Sequence, residues 1–145
     1  MNTLLLFFLM VCGGIAVAVQ PSINSRLAQK TGVLESSCIS FTVGALALLA
    51  VVLLSGRNGL RGIGDASWWE LTGGLLGAFF VTMTIVVIPR LGTATAMATI
   101  IASQVAAGLI LDQFGLFGFR QVPIDLKRGI GLVLLLVGAG LVFRR

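Results

Sequence analysis

Residues 33–54 read VLESSCISFTVGALALLAVVLL, twenty-two positions carrying a single charge, Glu35. Wound as an α-helix the stretch rises about 33 Å, enough to cross the roughly 30 Å hydrocarbon core of a bilayer. Its one charge stands in the first turn, where the helix dipole favours an anion. On either side of it four more segments have the same character, and the spans fall at about 3–27, 33–55, 68–89, 92–112 and 127–143. The first is apolar over residues 4–19, short for a full crossing, so the helix is expected to run on through Gln20 and Pro21 toward Leu27. The third opens on Trp68 and Trp69 as interfacial anchors and is expected to stop at Pro89-Arg90. The fifth is the shortest, flanked by Lys127-Arg128 and Arg144-Arg145, whose long stems can snorkel to the two surfaces.

Composition agrees. Of 145 residues, 57% are hydrophobic and 10% charged, with no His and no Tyr. A soluble domain of this length cannot hide so much apolar surface. The expected fold class is therefore all-α: a polytopic membrane protein, five helices per chain, residues 1–145 forming one transmembrane domain. The ten Lys and Arg against five Asp and Glu stand singly or in pairs between apolar runs; that placement marks span ends and lipid headgroups, not nucleic acid. Met1 to Gln20 has the apolar stretch of a signal peptide, with Ala16-Val17-Ala18 as a cleavage-like site, but no basic segment precedes it, and it reads as the first span. Cys12 and Cys38 lie within or at the edge of apolar runs and read as small hydrophobes.

With five spans the connectors alternate between faces. Arg57, Arg61, Arg120, Lys127 and Arg128 fall on the N-terminal face, and Arg26, Lys30, Arg90, Arg144 and Arg145 on the other. Five against five leaves the positive-inside rule without an answer. A chain that inserts both ways can pair as an antiparallel homodimer, giving a ten-helix inverted-repeat bundle of the kind transporters use. Helix four carries small residues at four-residue spacing, Ala94, Ala98, Ala102 and Ala106 beside Thr95, Thr99, Ser103 and Ala107, and Gly73 and Gly77 do the same in helix three. Such ladders let backbones approach closely, within a chain or across a dimer.

Catalytic and metal chemistry lack parts: there is no His, no CxxC, no phosphate-binding glycine loop and no intramembrane carboxylate pair. The chain is read as a non-enzyme with no cofactor and no metal. Polar residues at depth are then the candidates. Gln20 and Asn24 share a helix face, and Pro21 between them withholds the N–H that would bond the Val17 carbonyl, so a kink with a free acceptor is expected there; the alternative is that Gln20-Pro21 ends the helix at the surface. Gln104 lies near mid-span in line with Asp112. Gln20, Asn24 and Gln104 are the candidate substrate-binding residues. Asp112 and Glu35 are candidate coupling carboxylates, with pairing to Lys127 or Arg128 as the other reading of Asp112 and a first-turn anion as that of Glu35.

Gly13-Gly14, then Gln20 through Leu27 (QPSINSRL), Ser40 through Gly44 (SFTVG), Trp69 through Gly77, Pro89-Arg90-Leu91-Gly92 and Gln104 through Gly115 resemble, in that order, the YdcZ-like family of bacterial inner-membrane proteins. The resemblance covers nearly the whole chain. It implies membership of the drug/metabolite transporter superfamily, a multi-pass place in the bacterial inner membrane, and ten helices assembled from one chain or from smaller subunits in dual-topology, paired or fused forms. The small multidrug exporters of that superfamily carry a membrane-embedded Glu in helix one; this helix has none, which points to a neutral, zwitterionic or weakly charged solute. The expected function is a secondary transporter of a small polar metabolite or drug-like solute by alternating access, with membrane lipid, that solute and a second copy in an antiparallel homodimer as partners. A dual-topology ion channel and a non-transporting membrane subunit are the alternatives.

Overall fold

The computed structural model describes residues 2–56 and 59–143. Arg57, Arg144 and Arg145, used above in the charge tie, lie outside the described residues, as does the side chain of Arg61. Among the described residues the chain is helical with no strand: α1 Thr3–Thr31, α2 Val33–Leu54, α3 Gly73–Leu91, α4 Thr93–Phe114 and α5 Leu126–Val142, with 3-10 segments at Gly59–Asp65, Trp68–Thr72 and Leu116–Gly118. Four stretches, Thr3–Thr31, Val33–Leu54, Trp68–Leu91 and Thr93–Phe114, are long and apolar enough to cross a membrane. The fifth helix has 17 residues, about 26 Å of rise. Large apolar side chains are exposed along every one of these helices, as lipid-facing surfaces require.

Three helices differ from the sequence expectation by two residues or more at a boundary; α4, expected to end at Asp112, runs on to Phe114. The first helix runs four residues beyond Leu27, through Pro21, to Thr31, where Gly32 turns the chain at φ 102 and caps it by donating to the Ala28 carbonyl. Only glycine adopts such a φ without strain. The third helix does not stop at Pro89-Arg90 but continues to Leu91, while Trp68–Thr72, read as its first turn, is 3-10.

The chain divides into two compact units, residues 1–90 and 91–145, where the sequence suggested one domain. In the first, α1 and α2 form a hairpin through Gly32, and α3 joins them by polar and close contacts. Ser37 of α2 meets Thr82 of α3, and the Phe41 ring lies where a Cβ on Gly77 would approach it to 3.3 Å. These pairings run in opposite directions along the two helices, so α3 is antiparallel to α2 and parallel to α1. Gly77 thus serves close packing inside the unit, whereas a Cβ on Gly73 would meet open space.

Pro89 explains the α1–α3 contact. Lacking an N–H, it leaves the Ile85 carbonyl without its helical donor, and the Ser25 hydroxyl of α1 donates to that carbonyl at 3.3 Å. A hydroxyl sixty residues away in sequence therefore takes over the bond the proline removed. Ser25→Ala should cost about 1 kcal/mol in the wild-type background, since a buried carbonyl loses its partner. In a Pro89→Ala background, where residue 89 regains an N–H, the same change should cost close to nothing. Unfolding titrations of the four proteins, closed as a double-mutant cycle, check this; equal costs in both backgrounds would refute it.

In the second unit α4 and α5 are the closely packed pair. Ala98 faces Leu134, Leu135 and Gly138 across a shallow apolar groove, and the Thr95 hydroxyl donates to the Val142 carbonyl at 3.4 Å. Ala102 is buried, while Thr99, Ser103 and Ala107 are exposed. The ladders therefore do not divide cleanly: Ala98 and Ala102 of one and Thr95 of the other pack within the chain, while Thr99, Ser103 and Ala107 form an exposed outer edge. Thr99 and Ser103 donate to carbonyls of their own helix, which makes that outer edge tolerable to lipid or to another helix.

Candidate functional site

In the first unit the polar side chains of α1, α2 and α3 gather at one level. Asn24, Ser25, Ser36, Ser37 and Thr84 are all buried, Ser36 completely, among Pro21, Val81, Ile85 and Ile88. Nearly every hydroxyl finds an acceptor. Ser36 Oγ donates to the Asn24 carbonyl at 2.8 Å, Ser37 Oγ to the Val33 carbonyl at 3.0 Å, Thr84 Oγ1 to the Val81 carbonyl at 2.8 Å, and Thr82 Oγ1 reaches both Ser37 Oγ and the Ala78 carbonyl. Asn24 is different. Its Nδ2 is buried with no hydrogen-bond partner, in a side chain whose residue is 5% exposed. An unpaired buried amide donor costs on the order of 1–3 kcal/mol.

Of the other two candidate amides, Gln20 is exposed in the first unit, beside buried Pro21 and one turn before Asn24, and Gln104 is exposed in the second. Gln104 stands about 17 Å along a helix of about 33 Å, near mid-span. Neither side chain has a hydrogen-bond partner among the described residues. Because α1 continues through Pro21 for ten residues, the proline does not end the helix at the surface, and the Val17 carbonyl loses its helical donor at depth. The sequence alone does not single out the hydroxyls of Ser25, Ser36, Ser37, Thr82 and Thr84. Ser and Thr in membrane helices often bond their own backbone, as Thr42 does here, and only the helix pairing shows which ones turn inward. The dense polar spelling of residues 22–25 and 35–37 was the available signal.

The two carboxylates occupy different settings. Glu35 is exposed and its carboxylate folds back over Gly32, where a Cβ would collide with it; this is the geometry of a first-turn anion. Asp112 forms an ion pair with Arg128, the partner offered by one of its two sequence readings. That guanidinium also donates to the Val122 carbonyl, the Val122 N–H donates to the Asp112 carbonyl, Gln113 Oε1 accepts from the Ile124 N–H, and Asp125 caps the start of α5 through the Arg128 N–H. The connector carrying exposed Phe114, Phe117 and Phe119 is thereby clasped to the ends of both helices. Because both side chains are partly exposed, Asp112→Ala should cost about 1 kcal/mol, with faster proteolysis of the connector. The exchange Asp112→Arg with Arg128→Asp should recover most of that loss; failure to recover would show that the carboxylate is needed at position 112 itself.

Cys12 and Cys38 are free and exposed. Among the described residues no group of three or more His, Cys, Asp or Glu side chains gathers to hold a metal.

Comparison with known proteins places the chain. Residues 5–141 match the family described as "Putative inner membrane exporter, YdcZ". The chain is 36% identical over 152 residues to inner membrane protein YdcZ of Escherichia coli (strain K12), an alignment covering 100% of this chain and 99% of that protein. No solved structure matches it. Apolar helices of spanning length, joined by short connectors and matched over nearly their whole course, make this chain a multi-pass inner-membrane protein of the YdcZ family within the drug/metabolite transporters.

Proposed function

We propose that the chain is a secondary transporter that moves a small polar solute out of the cell by alternating access, working as an antiparallel homodimer of ten helices. The observation that carries this reading is that the amide nitrogen of Asn24, on the first spanning helix, is buried with no partner among the described residues, while the exposed carboxamides of Gln20 and Gln104 form no hydrogen bond to those residues either. A carboxamide left against acyl chains costs several kcal/mol, so such groups are retained where they face a wet cavity or a bound solute. Five helices make a thin wall around a cavity. Two oppositely inserted copies supply ten, and the equal split of basic residues between the faces permits both insertions. The family's printed description as an exporter supports the direction.

In this arrangement α1 of both copies lines the cavity, and the dimer rocks between two openings that symmetry makes equivalent. Purified protein in vesicles, challenged with a panel of carboxylates, polyols and quaternary amines, should show saturable, gradient-dependent movement of at least one class, reduced more than tenfold by Gln104→Leu. Dimeric protein that moves no solute would reject the reading. Unsaturable ionic conductance would replace it with a passive channel.

A further inference from the structure

We infer that Asn24 is a ligand-facing hydrogen-bond donor and that its partner is an anionic oxygen, a carboxylate or phosphate, carried by the transported solute or by a lipid headgroup. The inference deepens the transport reading and rests on it for the solute arm alone. Asn24 is 5% exposed, and its Nδ2 is the one buried side-chain polar atom without a partner among the described residues. The surrounding cluster has satisfied itself: Ser36, Ser37 and Thr84 spend their protons on backbone carbonyls, and Ser25 spends its own on the carbonyl released by Pro89. An N–H donor bonds only to an acceptor, so the Asn24 amide selects oxygen over ammonium.

Charge at the same end of the unit selects an anionic oxygen. Asn24 stands about 30 Å along α1 from Leu4, at the edge of the hydrocarbon. Ser25 and Ile85 fix the level at which parallel α1 and α3 touch. Lys30 and Arg90 each stand five residues further on, about 7.5 Å toward the surface, with Arg26 in the turn below. All three are exposed and form no ion pair among the described residues. The one carboxylate at that end, Glu35, is folded over Gly32. Three unpaired cations against one acid, beside a donor lacking its acceptor, draw in an anion and repel a cation.

The test uses the full chain in phosphatidylcholine nanodiscs. Thermal unfolding is followed at constant ionic strength with sodium benzoate, inorganic phosphate or tetramethylammonium chloride, and again with phosphatidylglycerol added to the disc. Benzoate or phosphate should raise the midpoint by several degrees and tetramethylammonium should not. Asn24→Asp, which exchanges the donor for a negative acceptor at the same size, should abolish the rise, and Arg90→Gln should weaken apparent binding about tenfold. A rise caused by phosphatidylglycerol alone, lost in Asn24→Asp, assigns the acceptor to a lipid headgroup. Equal response to anion and cation in the wild type, or an undiminished response in a folded Asn24→Asp, overturns the inference. The wild-type comparison stands even where Asn24→Asp fails to fold. Anion-dependent stabilisation without flux removes the transport reading and leaves this one, whereas flux restricted to cations without stabilisation does the reverse.

Discussion

Ile85→Ala is expected to destabilise the first unit by about 2–5 kcal/mol, the cost of deleting a large buried side chain and leaving its cavity. Ile85 is 2% exposed and is among the largest fully buried side chains described. In lipid the hydrophobic effect does not hold helices together, because acyl chains are as apolar as isoleucine; close van der Waals packing and polar contacts do. The cavity would open next to the Ser25 bond to the Ile85 carbonyl, so the α1–α3 contact should loosen as well. Denaturant titration of the protein in mixed micelles measures the change. A loss below about 1 kcal/mol would mean that α3 is not held where the structure puts it.

Ser36→Leu carries the second large effect. Ser36 is completely buried at the point where α2 approaches α1 closely enough to donate to the Asn24 carbonyl at 2.8 Å. A leucine there overfills the contact, at about 1–3 kcal/mol, and removes a hydrogen bond contributing about 1 kcal/mol. Ser36→Ala removes only the bond and should cost about a third as much. The pair of variants separates bulk from bonding, and the same titration reads both. A leucine variant as stable as the alanine variant would show that the α1–α2 hairpin does not close at this serine.

Much of the fold is legible in the sequence because each spanning helix satisfies its own backbone, so length and polarity of a segment decide its state with little help from elsewhere. Residues 33–54 show this, since α2 begins and ends within one residue of the boundaries read from them. Glu35 in a first turn and Asp112 beside Arg128 were likewise readable, because both depend on near neighbours in sequence or on charges at span ends. The end of α3 was not. Pro89 reads as a stop by local rules, yet the helix passes it, and the donor that makes this tolerable is Ser25, sixty residues earlier. The inward serines and threonines are not legible for the same reason, since a hydroxyl's choice between its own helix and a neighbour is made by packing. Asn24 is legible as a candidate from its depth and its place one turn beyond Gln20. Its unpaired nitrogen, which gives the candidate chemical content, required the three helices together.

Two oppositely inserted copies, as proposed above for the ten-helix transporter, would put each terminus on both sides of the membrane, and terminal accessibility reads this out. Single cysteines placed at each terminus, in a background lacking Cys12 and Cys38, are labelled in intact cells with a thiol reagent that cannot cross the membrane. With an odd number of spans the two termini lie on opposite faces, so a single orientation exposes only one of them. Dual insertion makes each terminus react from outside in a substantial fraction of its molecules. Complete labelling of one terminus with none at the other would contradict it.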